Sequence, residues 1–286
     1  MLPNFLNIGV ARCGTSWLHN LLDSHPEVFV PKKRKEVHFF CNYYDRGLEW
    51  YKEFFPPDGE KEKYQAVGEV AVHYLLDHEK SAKRIADVEA IERLIVMLRD
   101  PVERAWSHYH WKLSTHESSK SIREKAKEAP MIIESGFYAE GLRSYNEHFD
   151  RSDILILKSN SSFSDVYRTK KRISDFLNID IEKFPKKSGK KKVNENKKKR
   201  FGTIYDILSK LSYKMRTKDL DWLSNAVKKT GLKSIFVKDE KATKKNMSKK
   251  DLEWLTSIYE KEAKDLEREF GVNTSEWRKK WERRLK

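Results

Sequence analysis

Short apolar runs alternate with longer segments of helical spacing through the first two thirds of the chain. Continuous apolar runs of this kind are typical of strands buried on both faces of a parallel sheet. They predict strands at Phe5–Val10, Val28–Val30, Ala66–Val70, Leu94–Leu98 and Ile154–Leu157. The segments between them predict helices at 14–24, 81–90, 102–113, 137–149 and 166–177. Strands that alternate with helices predict an α/β fold, a central parallel β-sheet flanked by helices.

The pattern changes after Ile181. Lys183–Arg200 is rich in lysine and poor in apolar residues, which is typical of a solvated loop. Apolar spacing then predicts helices at 201–211 and 251–270, the second ending at Gly271, a residue that favours the conformation after a helix end. We expect one domain over residues 1–286, with a core at 5–180, a basic loop at 183–200 and a helical, lysine-rich C-terminal part at 201–286.

The charge of the chain is strongly positive. Lys and Arg number 59 against 44 Asp and Glu, a formal net charge of +15. Such a surface fits polyanionic partners, among them acidic polysaccharide, nucleic acid and anionic lipid. No apolar stretch approaches the roughly 18 residues that cross a bilayer, and the first strand follows Met1 closely, which argues against a signal peptide. With only Cys13 and Cys41, disulfides are not expected. These features predict a cytoplasmic protein without a membrane span.

The first strand leads into a turn, I-G-V-A-R-C-G-T-S-W-L, that runs from Gly9 to a helix beginning near Gly14. A helix N-terminus binds anions, because its free N–H groups and the positive end of its dipole point at the ligand. Thr15 and Ser16 add hydroxyls, and Arg12 adds a permanent charge. The turn is P-loop-like, but Thr15 stands where a nucleoside-triphosphatase has the lysine that reaches the terminal phosphates. It therefore favours a nucleotide with fewer phosphates, bound without metal; the alternative is a plain strand-to-helix turn.

A second polar segment, L-R-D-P-V-E-R-A-W-S-H-Y, follows the predicted strand at Leu94–Leu98. It puts Arg99 at the carboxyl end of that strand and Ser107 on the next helix. Ligands of open α/β sheets bind beyond the carboxyl ends of the strands, so both side chains can face the ligand of the first turn. A guanidinium with a hydroxyl suits a phosphate monoester. The alternative is that Arg99 pairs with Asp100 or Glu103 and that Ser107 lies on the helix surface.

Together the two segments resemble the sulfotransferase superfamily, whose members take a sulfonate from 3'-phosphoadenosine 5'-phosphosulfate (PAPS) and release 3'-phosphoadenosine 5'-phosphate (PAP). The resemblance continues through K-E-V-H-F-F at 35–40, G-F-Y-A-E at 136–140 and I-L-I-L at 154–157, and it covers about residues 5–180. It is strongest for the heparan sulfate (glucosaminyl) type, which has an aromatic stretch like G-L-E-W-Y at 47–51. The resemblance implies a metal-free transfer from PAPS to a hydroxyl or amine, which we expect to belong to a carbohydrate.

The resemblance also implies contacts with the donor. Arg12 stands where the family has a lysine that stabilises the bridging oxygen, and it would act there as a broad guanidinium fork. Arg99 and Ser107 correspond to the site of the 3'-phosphate. The other implied contacts are Cys13, Gly14, Thr15 and Ser16 around the 5'-phosphosulfate, Trp17 against adenine, Tyr138 on the nucleotide side, and Lys198, Lys199 and Arg200 over the 3'-phosphate. For Trp17 and Tyr138 the alternative to a nucleotide contact is packing in the apolar core. For the lysine run the alternatives are a solvated loop or a site that docks an anionic acceptor.

Sulfonate transfer needs a base that takes the proton of the acceptor. The resemblance implies Glu36, from the E-V-H-F-F segment, and the alternative is a surface glutamate paired with Lys33 or Lys35. Glu69 is the second candidate, from a family E-K-[ST] segment whose lysine is Val70 here; Lys35 is a candidate to replace that lysine. His38 and His73 are weaker candidates.

Two other functions stay open at the level of sequence. A small-molecule kinase would bind ATP with magnesium, which the missing lysine disfavours. A non-enzymatic protein that binds polyanions or nucleic acid would show steeply salt-dependent binding. Nucleic acid is not the expected partner, because the chain has no base-reading motif with interleaved aromatic residues. The net charge of +15 favours an acidic or polar saccharide as acceptor.

Overall fold

The computed structural model describes residues 1–32, 34–115, 120–190, 197–199, 237–241 and 246–286, and within them five parallel strands form the central sheet. The strands are β1 (Phe5–Gly9), β2 (Val28–Phe29), β3 (Ala66–Val70), β4 (Arg93–Leu98) and β5 (Ile154–Lys158). Their order across the sheet is β2-β3-β1-β4-β5, and every neighbouring pair is parallel. The predicted parallel α/β fold is confirmed.

Helices flank the sheet. In chain order they are α1 (Thr15–Asp23), α2 (Gly47–Lys52), α3 (His78–Ala86), α4 (Pro101–Thr115), α5 (Ile122–Glu128), α6 (Met131–Glu134), α7 (Tyr138–Asn146), α8 (Ser159–Ser164), α9 (Val166–Leu177), α10 (Lys249–Phe270) and α11 (Ser275–Leu285). Short helical turns of other geometry occur at Phe39–Tyr43, Tyr44–Arg46, Asp58–Lys63, Arg151–Asp153 and Ile181–Lys183.

The sheet is covered on both faces, and the strand sequences explain why. Leu94 to Leu98 of β4 and all five residues of β1 are buried. A strand with apolar side chains on both faces is stabilised most when helices pack against both faces. Each buried apolar side chain contributes about 1.5–3 kcal/mol to the free energy of folding. The side chains on both faces belong to one continuous apolar core that also includes residues of α1, α7 and α10.

The order of the strands creates a crevice at the carboxyl end of β1. After β1 the chain moves to β2 and β3 on one side, and it then crosses to β4 and β5 on the other. Loops that leave β1 and β4 in opposite directions leave a gap between them, which is where open α/β sheets bind ligands. The turn at residues 10–14 and Arg99 both border this gap.

The C-terminal part is helical where it is described, as predicted. Ser248 caps α10 by accepting a hydrogen bond from the Asp251 N–H, and Gly271 ends it with φ +65°. The lysine-rich segment differs from the predicted loop, because Lys197–Lys199 (β6) pairs antiparallel with Val237–Lys241 (β7). The helix predicted at 201–211 lies outside the described residues.

None of the helices in the described ranges combines the length and the apolar character needed to cross a membrane. The division into one domain stays a prediction.

Candidate active site

The turn between β1 and α1 has the shape of an anion site. Gly14 has φ +94°, and a Cβ there would lie 2.5 Å from Cζ of Phe163, so glycine fits both the backbone and the space. α1 begins at Thr15, and no described side chain caps its N-terminus. The N–H groups of Trp17 and Leu18 donate to the Gly14 carbonyl, and the N-terminus of α1, with the positive end of its dipole, lies at the turn beside the hydroxyl of half-buried Ser16.

Arg12 joins the two segments that the sequence predicted to meet. It has φ +71°, and its Nε donates to Oγ of Ser107 at 3.2 Å across 95 residues of chain. Ser107 is buried rather than on the helix surface. Burial, followed by the charge of Arg99, lowers the pKa of Arg12. Guanidinium groups thus crowd this side of the crevice, and an anion bound between them would relieve their repulsion.

Arg99 follows directly after β4 and is held from several sides. Its Nη2 lies 3.2 Å from Oε2 of Glu103, so the alternative ion pair exists, but its buried Nε has no hydrogen-bond partner among the described residues. Glu103 also pairs with Lys280 of α11. Nε1 of Trp281 donates to the carboxylate of Asp100 at 3.0 and 3.1 Å. The final described helix therefore supports the turn that carries Arg99.

Three predicted donor contacts lie behind the turn rather than on its surface. The hydroxyl of fully buried Tyr138 donates to the Arg99 carbonyl at 2.9 Å and lies 3.8 Å from Sγ of Cys13. Burial raises the pKa of the Cys13 thiol to about 11, so that thiol is neutral. Trp17 is buried as well, and its Nε1 donates to the Gly189 carbonyl at 2.7 Å. Cys13 and Tyr138 position the turn from below.

Phe163 is an aromatic residue of the site that sequence reasoning missed. It is 45% exposed on α8, touches the turn at Gly14 and lies edge-on to Trp17 with ring centroids 5.1 Å apart. Its exposed ring lies beside the turn. The run S-S-F-S gave no periodic signal, and only the contact with Gly14 identifies it.

Glu36 lies next to the turn in a compact charged group. Nζ of Lys35 is 2.9 Å from Oε1 of Glu36 and 3.3 Å from Oγ of Ser16. Nε2 of His38 is 3.4 Å from Oε2 of Glu36. Burial raises the pKa of Glu36, but the hydrogen bond with His38 and the charge of Lys35 outweigh it and lower that pKa to about 2. Glu36 is therefore ionised at neutral pH, and its side chain stays 32% exposed.

Glu69, the second predicted base, is fully buried at the end of β3 and accepts hydrogen bonds on both oxygens. Oε1 accepts from the N–H groups of Val37 at 2.7 Å and His38 at 2.9 Å. Oε2 accepts from the hydroxyls of Tyr51 at 2.8 Å and Tyr74 at 2.9 Å. Burial raises the pKa of Glu69, against the charge of His38 and these hydrogen bonds. Glu69 anchors the backbone that follows Glu36.

His73 completes this side of the site. Its ring stacks on that of His38 with centroids 4.9 Å apart and an angle of 16°. Burial, followed by the charge of His38, lowers the pKa of His73 to about 4, so this imidazole is neutral at physiological pH. A neutral imidazole can donate one hydrogen bond and accept another.

The roles of Lys198, Lys199 and Arg200 at the 3'-phosphate stay predictions. Lys198 and Lys199 lie on β6, whose backbone contacts α4, the helix that carries Ser107. Arg200 lies outside the described residues. Metal-free chemistry stays a prediction.

Comparison with known proteins decides the family. The sequence profile of the family described as "Sulfotransferase domain" matches residues 2–267. The chain belongs to the sulfotransferase family. A sulfotransferase from Alicyclobacillus acidocaldarius has the same fold, with a TM-score of 0.64 at 22% identity over 97% of this chain and 99% of the other.

Curated sulfotransferases match parts of the chain. Heparan sulfate glucosamine 3-O-sulfotransferase 3B1 of Mus musculus is 33% identical over 187 residues, 62% of this chain and 46% of that protein. The bifunctional heparan sulfate N-deacetylase/N-sulfotransferase 4 of the same species is 30% identical over 199 residues, 62% of this chain and 22% of that protein. The predicted resemblance to the heparan sulfate type is confirmed, although the chain spans less than half the length of these two relatives.

The prediction of a cytoplasmic protein is wrong. The membrane-associated sulfotransferase kil1 of Dictyostelium discoideum is 35% identical over 120 residues, which are 42% of this chain and 25% of that protein. A family with membrane-associated members gives no basis for assigning a compartment from a lack of apolar spans.

Proposed function

We propose that this sulfotransferase moves a sulfonate from PAPS to a hydroxyl or amine of a saccharide, with Glu36 as base. The position of Lys35 carries the proposal, because one ammonium group contacts both Ser16 of the phosphate turn and the carboxylate of Glu36. A donor anchored at α1 and an acceptor held at Glu36 would therefore meet within the reach of a single side chain, as an in-line transfer requires.

The donor half of the site suits a nucleotide with two separate phosphates. The N-terminus of α1 and Arg12 offer donors and positive charge to the 5'-phosphosulfate. Arg99 and Ser107 offer a guanidinium and a hydroxyl to the 3'-phosphate. The Nε of Arg99, which has no partner among the described residues, is a donor that such a ligand would satisfy. Because Nε of Arg12 is bonded to Ser107, the two phosphate sites are mechanically joined. Phe163, with Trp17 packed behind it, would border the adenine.

The reaction would proceed by attack of the acceptor oxygen or nitrogen on sulfur. A new bond to sulfur forms while the bond from sulfur to the 5'-phosphate oxygen breaks, and its electron pair leaves with PAP. The proton of the acceptor passes to Glu36. Arg12 and Lys35 would neutralise the charge that develops on the leaving phosphate, a kind of stabilisation typically worth several kcal/mol.

Lys35 would also adjust the basicity of Glu36. In the free enzyme its ammonium contributes to the low pKa of Glu36, about 2, which makes the carboxylate a weak base. A donor sulfonate beside Ser16 would compete for the same ammonium. As the contact between Lys35 and Glu36 weakens, the pKa of Glu36 rises toward the range in which a carboxylate accepts protons well.

Glu36 is favoured over Glu69 because of access. Both oxygens of Glu69 already accept two hydrogen bonds each from the protein, and the residue is fully buried. The side chain of Glu36 is 32% exposed. The fixed, neutral imidazole of His73 lies beside it as a hydrogen-bonding group for the acceptor.

An acidic saccharide is the acceptor that fits the rest of the molecule. The net charge of +15 attracts polyanions at long range. One matched relative is named as a heparan sulfate glucosamine 3-O-sulfotransferase, and another as a heparan sulfate N-deacetylase/N-sulfotransferase. Metal-free chemistry is part of the proposal, because Arg12 and Lys35 would neutralise the charge that develops on the leaving phosphate.

Calorimetric titration with PAP tests the proposal directly. We expect PAP to bind in the presence of a chelator, and AMP, which lacks the 3'-phosphate, to bind far more weakly. Transfer from isotopically labelled PAPS to heparan-type oligosaccharides should then be measured. Equal affinity for AMP and PAP, or tighter binding of magnesium-ATP than of PAP, would overturn the proposed donor.

A further inference from the structure

A cavity of about 620 Å³ lies along the free edge of β5, the edge of the sheet opposite to β2. It opens to solvent and is bordered by β5, α8, α9 and the turn between α10 and α11. Four basic side chains line it, against the single acid Asp165; they are Arg151, Lys158, Arg168 and Arg172. We call this cavity the basic groove.

Two of these arginines occupy the open edge of the sheet. Arg151 Nη1 donates to the Ile154 carbonyl at 2.7 Å, and Arg172 Nη2 donates to the Ile156 carbonyl at 2.9 Å. These carbonyls are the groups that an added peptide strand would need. The bonds therefore exclude a peptide that docks by extending the sheet, and they fix two guanidinium groups toward the groove.

The positive charge of the basic groove is not neutralised by the protein. None of the four basic side chains lies within ion-pair distance of an acidic side chain in the described part of the chain. Asp165 uses its carboxylate to cap α9 at the Arg168 N–H. Burial, and then the charges of Arg168 and Arg151, lower the pKa of Arg172, which reports mutual repulsion. Bound anions would remove that repulsion.

We propose that the basic groove is a second anion-binding site, which takes carboxylate and sulfate groups of an acidic oligosaccharide. The choice of a saccharide rests on the proposed function, whereas the preference for an anion rests on the four basic side chains of the lining. The aromatic residue in the lining, Phe270, is buried, so a nucleobase has no exposed ring to stack on. The volume lies in the range of about 300–1,000 Å³ that is usual for ligand sites.

Charge reversal on one helix tests the proposal. Arg168 makes no side-chain hydrogen bond or ion pair with a described residue, so Arg168→Glu should leave the fold intact. Lys171→Glu makes the same change of charge on α9 but outside the groove. The probe is a heparin-derived octasaccharide, titrated by calorimetry without donor. We expect Arg168→Glu to raise its Kd about tenfold and Lys171→Glu less than about twofold, with the Kd of PAP unchanged in both.

Equal effects of the two variants would overturn the groove as a site. A single-stranded DNA of equal charge that binds as tightly, with the same dependence on Arg168, would overturn the saccharide as its ligand. Since these titrations need no turnover, a failure of sulfonate transfer leaves them interpretable. Conversely, Arg168→Glu should retain transfer to a disaccharide too short to reach the groove.

Discussion

The two halves of the crevice balance their charge in opposite ways. The donor half brings Arg12 and Arg99 together, and the charge of Arg99 lowers the pKa of Arg12. The acceptor half neutralises itself, because Lys35 and His38 surround Glu36 and lower its pKa to about 2. In the proposed mechanism, an anion from outside completes the donor half, whereas the acceptor half gives up the ion pair between Lys35 and Glu36 before the carboxylate of Glu36 works as a base.

Of the substitutions in the two halves of the crevice, Glu36→Gln should lower turnover the most. Loss of the base should lower kcat by about 10³-fold, while the Kd of PAP changes little because the donor half is untouched. Steady-state kinetics and calorimetry measure the two quantities. Glu49→Gln, an exposed glutamate on α2, is the control. Turnover that survives in Glu36→Gln would show that the base is another residue.

Arg99→Ala should weaken nucleotide binding in the donor half and leave the acceptor half intact. Removal of a charge-assisted hydrogen bond costs about 1.5–3 kcal/mol, so the Kd of PAP should rise about 10- to 100-fold while that of AMP stays constant. Arg93→Ala, at the other end of β4, serves as the matched control. If both nucleotides lose affinity equally, Arg99 does not contact a 3'-phosphate.

Lys35→Ala should test the acceptor half by removing the ion pair between Lys35 and Glu36. The charge of Lys35 lowers the pKa of Glu36, so its removal should raise that pKa. Activity that depends on ionised Glu36 should then fall at a higher pH than in the wild type as the solution is acidified. We also expect kcat to fall about 10-fold, since one neutralising charge is lost. The pH profile of kcat/KM is the measurement, and an unmoved acidic limb would contradict the assignment.

Glu69→Gln should have the smallest effect on catalysis. Glutamine keeps one acceptor oxygen but weakens the charge-assisted bonds, so we expect about 1–2 kcal/mol less unfolding free energy and only a few-fold loss of kcat. Chemical denaturation and kinetics report the two effects. Full stability combined with the loss of turnover expected for Glu36→Gln would instead identify Glu69 as the base.

The strands of the sheet could be predicted because the signal for each one lies in a few consecutive residues. β3 was predicted with its observed bounds, and β4 to within one residue, since a buried parallel strand is a continuous apolar run. The meeting of Arg12 with Ser107 was also predictable, because both follow strand ends at the same edge of one sheet.

Other features depend on distant residues and carried no local signal. The role of Glu69 arises from hydroxyls of Tyr51 and Tyr74 and from the backbone at 37–38, which the chain brings together only on folding. The Gly189 carbonyl reaches Trp17 from 172 residues away. The strand at Lys197–Lys199 contradicts the low strand preference of lysine, because pairing with β7 decides its conformation.

The hydrogen bond from Trp281 to Asp100 links the donor half of the crevice to the last helix that is translated among the described residues. Domains emerge from the ribosome with their N-terminal part first, and the turn that carries Arg99 waits for a partner 181 residues downstream. When all five strands of the sheet have emerged from the ribosome, the turn still lacks its hydrogen bond from Trp281. The turn that carries Arg99 can therefore gain this support only after α11 has been translated.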